Sequence, residues 1–139
     1  MALSERSKKA LVGVHPDLIK IVELAHDLAR QNDLDFIITE GCRTLATQRK
    51  YVAKGVSQTL KSRHIPGTDG YGKAVDFAPV IDTDGDGDTE VTFAWPAFYP
   101  IAECFKAAAA TLQVPIVWGG DWKSFKDGPH IELDRKKYP

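Results

Sequence analysis

Ala74-Val75-Asp76-Phe77-Ala78-Pro79 is a short apolar stretch with a single charge inside it. Side chains alternate across a strand, so Val75 and Phe77 share one face and Asp76 projects from the other. An unpaired carboxylate in a buried strand costs several kcal/mol, so Asp76 requires a cation or a hydrogen-bond network around it.

Two other stretches answer that requirement. Ser62-Arg63-His64 sets a histidine in a glycine-rich loop upstream, and Asp127-Gly128-Pro129-His130-Ile131-Glu132-Leu133 opens an apolar strand on a second histidine. His64, Asp76 and His130 form a donor set suited to one zinc ion, which in a catalytic site keeps a fourth position for water. Asp127 lies three residues before His130, and on a straight strand the two would face opposite ways. The Gly128-Pro129 turn can fold both side chains to one point, which makes Asp127 a candidate base. Taken singly, each residue has a plainer reading. Asp76 could pair with Arg43 or Lys73, the histidines could be ordinary loop residues, and Asp127 an acidic turn residue. Those readings account for the residues separately but not for the set.

Length and composition fit this picture. The chain has 139 residues, the size of one domain, and an apolar fraction of 43%, enough for a core. A formal net charge of −1, with no strongly basic segment, argues against a nucleic-acid partner. No apolar run is long enough for a transmembrane helix, so no membrane insertion is expected. The N-terminus lacks the apolar stretch of a signal peptide. Cys42 and Cys104 are expected as free thiols.

The coarse pattern is α+β. Residues 1–14 read as a polar arm with a short helical turn. His15-Pro16-Asp17 opens a helix to about Gln31, with Leu18, Ile21, Val22, Ala25, Leu28 and Ala29 at helical spacing. His15 and His26 read as surface or packing residues. Phe36 to Thr39 reads as a strand ending at Gly41. Thr44 can cap a helix through Gln48, Tyr51 and Val52 that stops at Gly55. Residues 56–73 form a long loop. Pro96 opens a helix with an apolar stripe of Phe98, Ile101, Ala102, Phe105, Ala108, Ala109 and Leu112. Ile116-Val117-Trp118 is a strand stopped by Gly119-Gly120, and His130 to Leu133 is the last strand. The tail, Asp134 to Pro139, reads as loose. The expected architecture is a small single domain, helices packed on a mainly antiparallel sheet that carries the zinc site.

Several of these segments together resemble a known family. Ser62-Arg63-His64, Lys73 to Pro79, Trp118-Gly119-Gly120-Asp121-Trp122 and Asp127 to Leu133 resemble the zinc peptidases that include D-alanyl-D-alanine carboxypeptidases and phage L-alanyl-D-glutamate endolysins. Glu40-Gly41-Cys42-Arg43-Thr44, with Gln48 after it, is similar to the family's arginine motif. The likeness runs from about residue 15 to 133. Compact size and the aspartate before Gly-Pro-His resemble the endolysin branch most. The resemblance implies His64, Asp76 and His130 as zinc ligands and Asp127 as catalytic base. It implies Arg43 as the group on the substrate carbonyl and its oxyanion, with Ser62 and Gln48 near the substrate. Twelve positions separate His64 from Asp76, a longer interval than the family commonly has. Thr68-Asp69-Gly70-Tyr71-Gly72 reads as an insertion there, and leaves Asp69 as a rival ligand ranked below Asp76.

Val91-Thr92-Phe93 resumes strand character after Ile81-Asp82, so an acidic hairpin lies between the second and third strands. Asp82, Asp84, Asp86 and Asp88, with Gly87, resemble the first half of an EF-hand calcium loop. Position twelve would be Phe93, not the usual glutamate, and strands rather than helices flank it. Ca²⁺ binding and a solvated acidic turn are both open.

The function implied is a zinc-dependent peptidoglycan hydrolase that cuts the L-alanyl-D-glutamate bond of murein stem peptides for cell lysis. Such a protein would act as a monomer, accumulating in the host bacterial cytoplasm and reaching the wall through a separate membrane pore. The alternatives are a D-alanyl-D-alanine carboxypeptidase and a non-catalytic binding module, zinc-stabilised or calcium-responsive.

Overall fold

The structure is a computed structural model, and it describes residues 3–43, 50, 52–54, 62–82, 85–124 and 126–139. Two helices come first. Helix α1 spans Glu5–Ala10 and α2 spans Pro16–Gln31. Strand β1, Phe36–Glu40, follows, and β2, Ala74–Ile81, comes after the long intervening segment. Strand β3 is short, Glu90–Val91, and helix α3 runs over Trp95–Leu112. Strand β4, Ile116–Trp118, leads through a 3₁₀ turn at Gly119–Asp121 towards β5, His130–Leu133.

Local chemistry sets these boundaries. Helix α2 starts where Pro16 occupies the first turn, and His15 Nδ1 accepts from the Asp17 N–H at 3.1 Å. Gln113 closes α3 in the left-handed conformation, φ 57°, where its N–H reaches back to the helix carbonyls. The expected helix over residues 44–52 falls mostly outside the described residues.

The main sheet has the order β1-β2-β5-β4, with β3 paired to β2, and every strand pair is antiparallel. Val75 and Phe77 are fully buried on the face that meets the helices, among Phe36, Ile38, Phe98, Phe105 and Ile131. Phe77 lies 5.0 Å from Phe105 and 5.5 Å from Phe98 between ring centroids. Burial of side chains this large contributes roughly 1.5–3 kcal/mol each. Asp76 takes the opposite face, as strand alternation requires.

Both ends of the chain differ from the sequence expectation. Residues 3–14 are more than a polar arm with a helical turn: α1 packs on β1, Leu11 and Val14 are buried, and Ser7 Oγ accepts the Ile38 N–H at 2.9 Å. The tail is held rather than loose. Tyr138 Oη donates to Asp17 Oδ2 at 2.6 Å, and Arg63 Nη2 donates to the Tyr138 carbonyl at 2.6 Å. The third expected strand is shorter than Val91-Thr92-Phe93, since its pairing with β2 ends at Val91.

Candidate metal centre

The sheet brings the three candidate ligands together. Asp76 on β2 is the register partner of His130 on β5, so the two side chains leave the same face of adjacent strands. His64 arrives from the loop before β2. That loop is fixed by backbone bonds, Arg43 N–H to the His64 carbonyl at 2.7 Å and Lys73 N–H to the Arg63 carbonyl at 2.7 Å. His64 and His130 are buried, with their rings 5.2 Å apart and nearly perpendicular.

His64 Nε2 is 3.2 Å from Asp76 Oδ1, and His130 Nδ1 is 3.5 Å from the same oxygen. Neither approach has hydrogen-bond geometry, so Oδ1 is a buried oxygen without a hydrogen bond. The ligand atoms of all three residues lie within 4.8 Å of one another. For zinc bonds of about 2.0 Å, the edge of a tetrahedron is about 3.3 Å, close to both separations. An orphaned carboxylate oxygen faced by two imidazole nitrogens is the donor set such an ion needs.

Each ring has its other nitrogen occupied. His64 Nδ1 lies 2.8 Å from the Gly41 carbonyl, and His130 Nε2 lies 2.9 Å from Glu132 Oε1. When the rings are neutral, a proton on each of those nitrogens leaves a lone pair facing Asp76. Burial alone would push the Asp76 carboxyl up, but the His130 and His64 imidazoles hold it well below the usual range. Burial lowers His130, yet Asp76 and Glu132 reverse that and raise it to about 9.

Asp127 stands at the start of the turn that delivers His130, with its carbonyl accepting the His130 N–H at 3.2 Å and its N–H bonded to the Gly119 carbonyl at 3.0 Å. Gly119 is needed for this approach. A Cβ there would lie 2.3 Å from the Asp127 carbonyl oxygen and 3.0 Å from the Cβ atoms of Asp127 and His130. Burial, then repulsion from Asp76, raises the Asp127 carboxyl above its ordinary value; His130, His64 and Arg43 oppose the rise. Trp118 steadies the turn by donating from Nε1 to the Gly128 carbonyl at 2.7 Å.

Arg43 is buried beside this group. Its Nε donates to Glu40 Oε1 at 2.6 Å, and Nη1 lies 3.5 Å from Ser62 Oγ, which accepts the His64 N–H at 3.2 Å. Arg43 therefore does not pair with Asp76. Neither does Lys73, whose Nζ bonds Asp69 at 2.8 Å. Asp69 is not part of the group that His64, Asp76 and His130 form. Gln48 lies outside the described residues.

Sequence reading missed Glu132, Glu40 and Trp122. Glu132 was findable, because period two puts it on the face of His130. The ring of Trp122, 5.0 Å from that of His130, carried no signal in spacing.

The acidic hairpin is a tight loop. Asp82 accepts N–H bonds from Gly85, Asp86 and Gly87 at 2.8, 3.2 and 2.9 Å. Carboxylate oxygens of Asp82, Asp86 and Glu90 lie within 4.8 Å of one another. Asp88 is exposed, its N–H given to Asp86, and Asp84 lies outside the described residues. Among the described residues this is the hydrogen bonding of an acidic turn, and such exposed carboxylate groups are common without an ion, so calcium is not supported. Both cysteines are free.

No described helix is long and apolar enough to cross a membrane. The family model of phage L-alanyl-D-glutamate peptidases matches residues 1–138. An L-alanyl-D-glutamate peptidase of Escherichia phage T5 is 33% identical over 138 residues, covering 96% of this chain and 90% of that protein. The peptidoglycan L-alanyl-D-glutamate endopeptidase CwlK of Bacillus subtilis strain 168 is 29% identical over 133 residues, covering 86% and 73%. The crystal structure of the Serratia marcescens L-Ala D-Glu endopeptidase ChiX superposes with a TM-score of 0.82 at 36% identity, covering all of this chain and 94% of the other.

Proposed function

This chain belongs to the phage L-alanyl-D-glutamate peptidase family, and from that premise we propose how its residues cut their substrate. It is a peptidoglycan endopeptidase acting between L-alanine and D-glutamate. The expected family, α+β fold and activity are thereby all met.

In this proposal His64, Asp76 and His130 would hold a zinc ion. The observation that carries it is the orphaned Asp76 oxygen between two imidazole nitrogens. When bound, zinc would supply Lewis-acid chemistry that makes water a nucleophile near neutral pH.

The chain's own groups do the rest. Asp127 accepts the proton of the attacking water and passes it to the leaving amine of D-glutamate. Its raised carboxyl suits a group that must hold that proton briefly. Arg43 donates to the scissile carbonyl oxygen as it gains charge, and losing such a donor typically costs about 10²–10³ in rate. Glu40 and Ser62 fix the guanidinium for that task. Ser62 and Gln48 complete the substrate side. The stem peptide is the partner, met by a monomer that leaves the host cytoplasm through a membrane pore.

Digestion of purified murein, with mass spectrometry of the new termini, tests the chemistry. Wild type should release L-alanine carboxyl and D-glutamate amino ends. Release of D-alanine instead would favour a carboxypeptidase. Asp127→Ala should retain one zinc per chain and lose hydrolysis; cleavage at the normal rate would remove Asp127 as base.

A further inference from the structure

Glu132 is a buried carboxylate with both oxygens engaged. Oε1 meets His130 Nε2 at 2.9 Å, and Oε2 meets Arg135 Nε at 3.3 Å and Arg63 Nε at 3.6 Å. Its side chain is 6% exposed, so the charge is shielded from water and needs these partners. Arg63 is fixed in turn. Its Nη2 donates to the carbonyls of Leu133 at 3.1 Å and Tyr138 at 2.6 Å, which ties it to the end of β5 and to the docked tail. Arg63 also precedes the ligand His64 in the chain.

Ring geometry makes the Glu132 contact decisive. A half-turn of the His130 ring about Cβ–Cγ would put carbon Cδ2 where Nδ1 now faces Asp76. It would also turn Cε1 towards the Glu132 carboxylate and forfeit the hydrogen bond. A neutral imidazole has one N–H and one acceptor nitrogen. A carboxylate can only accept, so when the ring is neutral, as metal binding requires, the proton stays on Nε2 and the lone pair is on Nδ1.

We propose that Glu132, braced by Arg63 and Arg135, is a positioning residue that sets both the orientation and the tautomer of His130 for metal binding. This rests on the zinc centre proposed above. His64 is set by a neutral acceptor, the Gly41 carbonyl, and the opposite nitrogen is left free. The nitrogens that face Asp76, and would meet a metal, are therefore Nε2 of His64 and Nδ1 of His130. Losing a carboxylate behind a ligating histidine typically weakens metal affinity by about 10–100-fold.

The test combines zinc affinity, by competition with a chromophoric chelator, and the nitrogen NMR shifts of the histidine rings. In zinc-loaded wild type, His130 should carry its proton on Nε2 and His64 on Nδ1. Glu132→Ala should bind zinc about 10–100-fold more weakly and lose the defined His130 tautomer. Glu132→Gln keeps an acceptor oxygen and should recover most of the affinity, which a purely steric role for Glu132 would not separate from alanine. Zinc on His130 Nε2 in wild type would overturn the assignment, as would unchanged affinity in folded Glu132→Ala. If the alanine variant does not fold, the wild-type spectrum and Glu132→Gln decide. Wild type that binds no zinc would bring down the metal centre itself, and this inference with it.

Discussion

A single oxygen, Asp76 Oδ1, is where the charges of the site meet. In the metal-free protein its close partners among the described residues are the two imidazoles, and that gives stability a pH dependence with a definite sign. The folded pKa of His130 is raised from 6.5 to about 9. Its contribution is fully present below 6.5 and is lost as pH rises through about 9. The folded pKa of Asp76 is depressed from 3.8, so its contribution is present above 3.8 and is lost as pH falls. Unfolding by urea in chelator should therefore give a stability maximum between 3.8 and 6.5 from this pair, declining into the alkaline range. A metal ion reverses the upper limb, because protons compete for the same nitrogens. With zinc present, stability should hold as pH rises to neutral and above. A metal-free protein that is most stable at pH 9 would contradict the imidazolium–carboxylate pairing.

Among the elements, β1 and α1 show how a local contact completes the sheet. Strand β1 has one paired side, towards β2, and its other side would expose backbone donors. Ser7 answers part of that need from α1, its hydroxyl taking the Ile38 N–H inside a buried contact. Ser7→Ala would leave that N–H buried without a partner and should cost about 1–3 kcal/mol in chemical denaturation. Serine→alanine changes at exposed positions usually fall within about 0.5 kcal/mol, so the difference is measurable. Helix α2, helix α3, the hairpin into β3 and strand β5 were all legible from periodicity and turn residues. Docking of α1 and of the tail was not. Their sequences are polar and short, and the contacts that help fix them are long-range, among them the hydrogen bonds of Ser7 to Ile38 and Tyr138 to Asp17.

At the scale of the whole molecule, the site is held by three segments that meet only in the folded state. His64 comes from a loop, Asp76 from β2 and His130 from β5. A ligand bound only by the folded state stabilises it by mass action, about 4 kcal/mol at a free concentration 1,000 times its Kd. Removing zinc with a chelator should lower the melting temperature, and restoring zinc should recover it. His130→Ala should abolish that zinc-dependent shift. A melting temperature indifferent to zinc would mean that the three side chains do not form a metal centre. The chain's function in the wall thus depends on folding to create the site at all.

The residue types themselves announced the chemistry. A charge between Val75 and Phe77 could not be buried alone, and two distant histidines were the donors able to meet it. The elements followed from periods of 3.6 and 2, which are local properties of the chain. Tertiary structure decided the partners: Arg43 with Glu40, Lys73 with Asp69, and Glu132 behind His130. Opposite charges attract without regard to sequence distance, so several pairings were equally consistent with the order of residues. The sheet register sets Asp76 opposite His130, while Arg43 and Lys73 are taken by carboxylates nearer in the chain.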